Sequence, residues 1–322
     1  MQLDSGRTLY YGKGDVLTYR TYASPLRAAA IPESAYTGDP NVIFAHNVKF
    51  SVSGEALLPS FTEGDNSLVV ATDSMKNFIL RNAADFEGST TEGFLRFVAE
   101  RFFARYPHIS EISIEADRLT FLPLQVPAGG GEFAVSPLVY RRSHNEHAGA
   151  SIRMKRERET VAIVSHRSVL KDLQLIKVSG SSFYGFVRDE YTTLPDSYDR
   201  PLFIFLDIYW TYTDIAHALD GSTGKYAAAE QIRDIAHAVF HERNTPSIQH
   251  LIWQIGLRVL ERFPQLAGVG FESNNRTWET VVEPVGSLRA GVYTEPRPPY
   301  GFQGFTVTRA DLESAGRPGG AS

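Results

Sequence analysis

Five side chains in this 322-residue sequence are of types that could bind a flat anion and move protons. Arg200 offers a planar fork of donors that matches an anion with adjacent acceptors, and Phe183 offers a ring that can stack on a heterocycle. Gln249 carries an amide that can read the edge of such a ring. Lys13 acts as a base where desolvation or a nearby cation lowers its pKa. The Thr72 hydroxyl can pass a proton on, because it both donates and accepts.

Each of these residues also has an ordinary structural explanation. Arg200 could form a surface ion pair with Asp196 or Asp199, and Phe183 could belong to the core, as most phenylalanines do. Lys13 could be a solvated residue at the start of a strand. The elements that surround these residues therefore decide between chemistry and structure.

The composition is that of a globular protein and excludes several classes of site. Apolar residues make up 43% and charged residues 21% of the chain, which has no cysteine and a net charge of −5. The absence of cysteine removes disulfides, thiolate nucleophiles, iron–sulfur clusters and cysteine zinc sites. The negative charge argues against nucleic-acid binding, and no apolar stretch is long enough for a membrane helix. The termini lack a secretion signal and a peroxisomal address, so we expect a cytoplasmic protein.

Metal and phosphate motifs are weak in this sequence. His237 and His241 stand four residues apart and His144 and His147 three apart, but neither pair has the Glu of a His-Glu-x-x-His zinc site. The glycine run at 129–131 lacks the Lys-Ser/Thr of a phosphate loop. We therefore expect no metal and no dinucleotide cofactor.

The chain contains an internal repeat. Residues 258–273 lie 157 positions after residues 101–116, and both segments place an aromatic-Pro step between an amphipathic helix and an alternating strand. Proline ends a helix, and the period of two in Ile112/Ile114 and Val269/Phe271 predicts half-buried strands. The sequence thus predicts the same helix-to-strand transition twice.

The repeat extends upstream to the starts of the preceding helices. Strands are predicted to end in Thr72-Asp73 and Thr213-Asp214, with the aspartates as helix caps. A capping box at residues 89–92 and a proline at the first helical position, Pro246, predict the second helix of each half. Each half then has the order strand, strand, helix, helix, strand, strand.

These patterns predict an α+β fold with two tandem units. We place the first unit at residues 1–147, the second at 148–312 and a flexible tail at 313–322. Each unit is an antiparallel sheet with both helices on one face, and the glycine run at 129–131 forms the hairpin between the last two strands of the first half. Closure into a barrel by self-association would cover the free face and the sheet edges.

Several segments, in order, resemble those of urate oxidases and span nearly the whole chain. They are Tyr11-Gly12-Lys13-Gly14-Asp15-Val16, the run Thr72-Asp73-Ser74-Met75-Lys76-Asn77, residues 182–194 followed by Asp199-Arg200, Ser247-Ile248-Gln249 and Asn274-Asn275-Arg276. The third segment is specific by itself, and the others gain weight from their order. Urate oxidases have the tunnelling fold, in which each chain contains two such units and four chains stack as barrels. The resemblance therefore implies a homotetramer with sites at subunit interfaces.

The resemblance also implies a role for each matched residue. Urate would be held by the backbone N–H of Ile248 and by four side chains at the family's binding positions. These are the side chains of Phe183, Leu194, Arg200 and Gln249. Lys13 and Thr72, contributed by the neighbouring chain, would transfer protons, Asp73 would lie at the ligand's edge, and Asn275 would hold oxygen or water. The implied reaction converts urate, O2 and water to 5-hydroxyisourate and hydrogen peroxide without a cofactor.

The sequence departs from the family pattern at one position and leaves one alignment open. Fungal and animal members have a histidine where this chain has Thr277, whose hydroxyl can relay a proton but cannot become a cation near neutral pH. Asn274 could replace Asn275 at the oxygen site if the alignment is shifted by one residue. Two rival functions remain, another tunnelling-fold enzyme for purines or pterins and a non-catalytic purine-binding paralogue. The four residues Lys13, Thr72, Arg200 and Gln249 are all present, which favours the oxidase.

Overall fold

The computed structural model describes residues 1–277, 279–282 and 291–316, apart from the side chain of Thr277. The strands are β1 (Tyr11–Thr21), β2 (Leu26–Arg27), β3 (Gly38–Asp39), β4 (Ile43–Ser53), β5 (Glu111–Arg118), β6 (Phe121–Gly129), β7 (Glu132–Arg142), β8 (His147–Glu157), β9 (Thr160–Phe183), β10 (Ser197–Tyr212), β11 (Leu266–Thr277), β12 (Thr280–Val282), β13 (Val292–Tyr293) and β14 (Arg297–Thr308). The helices are α1 (Leu58–Thr62), α2 (Thr72–Asp85), α3 (Thr91–Arg105), α4 (Ala216–Leu219), α5 (Ala229–Glu242), α6 (Ile248–Arg262) and α7 (Arg309–Ala315). None of the helices in the described ranges is long and apolar enough to span a membrane.

Eight of the strands form one large sheet. Their order is β1-β4-β5-β8-β9-β10-β11-β14, and the pairs β1/β4, β4/β5, β5/β8 and β11/β14 are antiparallel. Alternate residues of β10 are buried, from Leu202 to Tyr212, as expected for a sheet with one face covered. The predicted combination of helices with antiparallel strands is confirmed, but these strands form one large sheet instead of one sheet for each unit.

The chain forms two compact units whose segments alternate along the sequence. The first unit comprises residues 1–30, 36–169 and 211–229, and the second comprises residues 31–35, 170–210 and those from 230 onward. The boundary predicted between residues 147 and 148 falls at the start of β8, inside the first unit. The predicted tail begins within α7, and its residues 317–322 lie outside the described part of the chain. The division into two tunnelling-fold units stays a prediction.

The helices repeat at the offset found in the sequence. Helix α5 begins and ends 157 residues after α2, and α6 begins and ends 157 residues after α3. The N-cap residues of α3 and α6, Thr90 and Ser247, accept a hydrogen bond from the backbone N–H three residues further on. Identical lengths and caps show that the two helix pairs are built from the same local signals.

An arginine holds the end of the long helix in each half. Arg156 and Arg309 each donate to backbone carbonyls at the helix C-terminus and in the turn that leads into the following strand or at its first residue. The acceptors of Arg156 are Phe103 and Ile109, and those of Arg309 are Leu260, Phe263 and Leu266. The last four carbonyls of a helix lack intrahelical partners, and a cation there is favourable. These long-range contacts complete the helix-to-strand transition that the sequence predicts.

The predicted start of helix α2 is wrong in two respects. Residues 68–71 form no strand, and Thr72 is the first helical residue rather than the end of a strand. Asp73 does not cap the helix, because its carboxylate accepts from Lys76 Nζ at 2.6 Å and Asn77 Nδ2 at 2.9 Å. The N-cap position is Ala71, which has no side chain able to cap.

The predicted starts of α3 and α6 are each displaced. Three consecutive hydroxyl residues, Ser89 to Thr91, lie at the start of α3, and the N-cap is Thr90 rather than Ser89. Glu92 therefore does not complete a capping box. Helix α6 begins at Ile248 after the Ser247 cap, so Pro246 precedes the cap instead of occupying the first helical position. The three glycines at residues 129–131, all at positive φ, form a hairpin where β6 ends and β7 begins. These two strands form a separate two-stranded sheet, so they are not the last two strands of the sheet in the first half as predicted.

Glu92 and His46 are buried titratable residues of the first unit. The Glu92 carboxylate, on a residue only 2% exposed, accepts hydrogen bonds from the hydroxyls of Ser168 and Tyr226. His46 is fully buried, with Nε2 3.0 Å from Thr91 Oγ1. Burial lowers the pKa of His46 to about 3, with help from the charge of Arg118, and burial raises the pKa of Glu92. The fold therefore favours both groups in their neutral forms.

Candidate active site

Lys13 lies at an irregular point of strand β1 in the first unit. It pairs with Phe50 of β4, and the register then shifts before Val16 pairs with Val48. Asp15, inside this bulge, has a φ of 53°. A bulge re-aims the side chains around it, so Lys13 sits at the last regular pair before the strand bends.

Gly12 is required by the close approach of β1 to β4. A Cβ atom at this position would lie 1.9 Å from the carbonyl oxygen of Phe50 and 2.7 Å from the Cα of Ser51. Both contacts are with backbone, which cannot rotate away. The glycine thus sets the strand spacing immediately beside Lys13.

Thr72 and Asp73 occupy the first turn of α2. The hydrogen bond from Lys76 is the main cause that lowers the pKa of Asp73, and the positive charge of Lys13 adds to it. Since Lys13 acts on the carboxylate next to Thr72, the structure brings these three predicted residues into one region of the first unit. Asp73 is exposed there, which leaves it accessible to a ligand.

Tyr11 is a residue of this region that the sequence reasoning assigned no function. Its hydroxyl accepts a hydrogen bond from Val70 N at 2.9 Å and donates one to Val70 O at 3.2 Å. These bonds join β1 to the segment that leads into α2. The only sequence signal was the place of Tyr11 in the segment that contains Lys13.

The second unit contains a cavity of about 420 Å³ that includes three of the predicted binding residues. Leu194, Arg200 and Asn275 line it, together with Arg276. No carboxylate side chain is present among its described lining residues. Two guanidinium groups beside a cavity without acidic side chains make an electrostatic environment that favours an anion.

Arg200 forms no ion pair with any residue that the structure describes. Its guanidinium carbon lies 5.4 Å from the centre of the Phe183 ring, and burial lowers its pKa. Its Nε is buried and has no hydrogen-bond partner among the described residues. The two carboxylates considered as partners are used elsewhere, since Asp196 pairs with Arg188 at 3.2 Å and Asp199 accepts from a backbone amide.

Arg276 is a second cation that the sequence reasoning did not single out as a site residue. Its guanidinium carbon lies 4.3 Å from the ring centre of Phe205 and 5.6 Å from that of Tyr300. Its Nε is buried and, within the described ranges, has no hydrogen-bond partner. The sequence feature that could have identified Arg276 is its place in the Asn-Asn-Arg segment that resembles urate oxidases.

The two candidate asparagines line different hollows. Asn275 lines the cavity with Arg200, whereas Asn274 lines a separate hollow with Phe205 and Glu272. The geometry therefore favours Asn275 for the oxygen site. Thr277 ends β11, and its side chain lies outside the described residues.

Ile248 and Gln249 lie in the first turn of α6, and neither of them lines the Arg200 cavity. Gln249 is exposed and lines a largely apolar groove of about 400 Å³ with Trp253 and Phe305. The predicted set thus occupies three places: the Lys13 region of the first unit, and the Arg200 cavity and the Gln249 groove of the second unit. In the described ranges, no cluster of three or more acidic or histidine side chains could hold a metal ion.

Comparisons with known proteins agree on one family. A family model described as Uricase matches residues 34–164 and 166–303. The chain is 52% identical over 309 residues to the uric acid degradation bifunctional protein PucL of Bacillus subtilis, with 95% of this chain and 62% of that protein covered. It is 50% identical over 305 residues to a uricase of Haloferax volcanii, with 94% and 99% covered.

The fold agrees with a solved structure at similar identity. Urate oxidase from Bacillus sp. TB-90 matches with a TM-score of 0.91 and 53% sequence identity, covering 94% of this chain and 100% of that chain. The chain spans 62% and 61% of the length of two bifunctional relatives, and 99% of the Haloferax protein. From the family match and these identities, the chain belongs to the uricase family.

Proposed function

We propose that this chain is a urate oxidase that converts urate, O2 and water to 5-hydroxyisourate and hydrogen peroxide. Urate loses two electrons, O2 gains them and becomes peroxide, and water supplies the hydroxyl oxygen. Deprotonated urate is itself the reductant, so the proposal requires no metal or flavin. The protein contributes binding, orientation and proton transfer.

The observation that best supports the proposal is that the Arg200 guanidinium is partly buried and that its Nε has no described hydrogen-bond partner. A guanidinium that is partly buried, has an unpartnered Nε and lines a cavity without described carboxylates is available to a planar anion. Phe183, beside this guanidinium, offers a ring face. Family membership identifies the anion as urate. Leu194 and Asn275 line the same cavity, in agreement with the roles proposed for them.

Lys13 and Thr72 are proposed to move the protons. The region in which they lie also contains the exposed Asp73 carboxylate, so charged and hydroxyl groups are available in a small space. Thr72 passes a proton between Lys13 and a bound water or oxygen species, because a hydroxyl can donate and accept at once. Ile248 N–H and Gln249 would complete the binding of the purine edge at the start of α6, where the helix dipole favours negative charge.

We further propose that the active protein is a homotetramer with sites at subunit interfaces. The end strands of the large sheet expose aromatic side chains, including Tyr19 at 54% on β1 and Phe302 at 81% on β14. Exposed sheet edges with large apolar side chains are surfaces that proteins normally cover. Light scattering coupled to size-exclusion chromatography tests the assembly, and a monomer that is fully active would contradict it.

The proposed reaction is tested with chelator-treated protein. We expect urate absorbance to fall while O2 is consumed and peroxide is formed in equal amounts. A purine- or pterin-directed hydrolase would produce no peroxide, and a non-catalytic paralogue would bind a purine without turnover. If urate is not consumed at any pH from 6 to 10, the oxidase proposal is wrong.

A further inference from the structure

We propose that Tyr11 is a positioning residue that sets the geometry of Lys13 relative to Thr72. The proposal rests on the proposed function, since it assumes that these two residues transfer the protons. The observed hydrogen bonds of the Tyr11 phenol are with the backbone of Val70 and not with Lys13 or Thr72. Tyr11 acts through the backbone of the segment that leads into α2.

The phenol of Tyr11 makes both of its hydrogen bonds with one residue of that segment. Val70 N donates to the hydroxyl at 2.9 Å, and the hydroxyl donates to Val70 O at 3.2 Å. A single oxygen thereby fixes both backbone polar groups of Val70. Tyr11 is two residues before Lys13, and Val70 is two residues before Thr72, so the bond pair joins the two segments beside the proposed proton-transfer residues.

Helix α2 depends on this contact because it has no side-chain cap. The caps of α3 and α6 are hydroxyl side chains, whereas Ala71 precedes α2 and makes no such bond. The direction in which the chain enters α2 is therefore set by contacts outside the helix. Tyr11 packs against the core of the first unit, and burial raises its pKa, which favours the protonated phenol that donates to Val70 O.

The other half of the chain contains the same tyrosine contact without the proton-transfer pair. Tyr212 accepts from Ala227 N at 3.0 Å and donates to Ala227 O at 3.5 Å. Ala227 is 157 residues after Val70 and leads into α5 as Val70 leads into α2. At the same offset the counterparts of Lys13 and Thr72 are leucine and alanine. The counterpart of Tyr11 itself is Ser168 on β9, so Tyr212 makes the equivalent contact from the end of β10. Tyr212 is thus a matched control with the same chemistry and no proposed catalytic role.

The experiment compares Tyr11→Phe with Tyr212→Phe in the full-length protein. Both variants lose a phenol that holds two backbone groups, and both are expected to lower Tm. For Tyr11→Phe we expect kcat to fall about 10- to 100-fold, because small displacements of reacting groups have effects of that size. KM for urate should change less than twofold, since Arg200 and Gln249 are untouched. For Tyr212→Phe, kcat should stay within twofold of the wild type.

Activity is expressed per site that binds a non-oxidised purine analogue, so that misfolded protein does not enter the comparison. The pH profile of kcat should shift in Tyr11→Phe and not in Tyr212→Phe, because only the first changes the surroundings of the base. If Tyr11→Phe does not fold, Tyr11→His offers a ring donor and acceptor and should retain more activity than Tyr11→Leu. An unchanged kcat in Tyr11→Phe, or equal losses in both tyrosine variants, would overturn the inference. Failure of the proposed function is seen separately, as absence of urate oxidation by the wild type.

Discussion

Individual residues acquire their properties from neighbours that are distant in the sequence. Arg200 is adjacent to Asp199, yet the structure pairs that carboxylate with a backbone amide and places the guanidinium over Phe183. Arg188, twelve residues earlier, instead forms the surface ion pair considered for Arg200. The same residue type thus has two roles in one segment, and burial distinguishes them.

This contrast predicts different effects of the same substitution. Arg200→Lys keeps the charge but loses the planar fork, so KM for urate should rise about 10- to 100-fold, as expected from the loss of a charged hydrogen bond. The effect on kcat should be smaller, because the lost interaction holds urate in the ground state as well. Arg188→Lys, at an exposed pair, should leave KM within twofold. Steady-state kinetics test this, and equal KM values for the two variants would contradict the assignment.

His46 predicts a specific dependence of stability on pH. Its pKa is about 3 in the folded protein and near the ordinary 6.5 in the unfolded chain. Because the folded-state pKa is lowered, the contribution is complete above 6.5 and is lost as pH falls from 6.5 toward 3. In His46→Gln, the free energy of unfolding should therefore decline less steeply over this range, by up to about 1.4 kcal/mol per pH unit.

Urea unfolding at several pH values between 3 and 7 measures this difference. His144→Gln is the control, because His144 is exposed and its replacement should leave the slope unchanged. Parallel curves for wild type and His46→Gln would show that His46 is protonated without cost in the folded state.

At the scale of elements, local signals predicted where helices end better than where they begin. The aromatic-Pro steps correctly placed the ends of α3 and α6, because proline excludes helix continuation whatever surrounds it. The start of α3 was misplaced because Ser89, Thr90 and Thr91 all have hydroxyls, and only backbone geometry selects the cap. Glu92 was predicted to be half of a capping box, but its carboxylate accepts a hydrogen bond from Ser168, which is far away in the sequence.

The candidate site was predictable in its residue types but not in its arrangement. The resemblance named Lys13, Arg200 and Gln249, and no local pattern could show that Arg200 and Gln249 line separate hollows. The contacts of Tyr11 and Arg276 were missed for the same reason. They join residues of different elements, and such pairs leave no periodicity in the sequence.

Gly12 provides a test of strand spacing. In Gly12→Ala the new Cβ would clash with the backbone of Phe50 and Ser51, so β1 must move away from β4. We expect a loss of about 1 to 3 kcal/mol in the free energy of unfolding, the usual cost of overpacking. Activity per folded site should also fall, because Lys13 moves with the strand.

Gly14→Ala is the matched control for this substitution. Gly14 lies in the bulge, and a Cβ there would meet nothing within 4 Å. Chemical unfolding and kcat should therefore stay close to wild-type values. If Gly12→Ala proved as stable and active as Gly14→Ala, the close approach of β1 to β4 would not determine the position of Lys13.

At the scale of the whole molecule, the repeat divides the proposed chemistry between its two halves. The positions of Lys13 and Thr72 have the counterparts Leu170 and Ala229, which cannot transfer a proton. Conversely, the counterpart of Gln249 is Glu92, which is buried and bonded within the chain. Each half thus retains only one part of the proposed site. Each chain would therefore contribute one set of proton-transfer residues and one set of binding residues. This is the number of sets needed if each site combines the two sets from neighbouring chains.

This division predicts complementation between two inactive variants. Lys13→Met should abolish turnover while purine-analogue binding survives, and Arg200→Ala should lose urate binding. Half of the interfaces in a co-expressed mixture pair unlike chains. If each site combines Lys13 of one chain with Arg200 of another, every such mixed interface contains one intact site and one that lacks both residues. Activity should then return to about a quarter of the wild-type value, for random association of equal amounts in a symmetric interface.

The control is co-expression of Lys13→Met with Thr72→Ala, two changes in the same half of the chain. In this mixture every chain lacks either Lys13 or Thr72. No interface can therefore contain a chain with both residues intact, whatever its partner contributes. This mixture should stay inactive. If the Lys13→Met and Arg200→Ala mixture is equally inactive although mass spectrometry shows mixed oligomers, each site is formed within a single chain and the interface proposal is wrong.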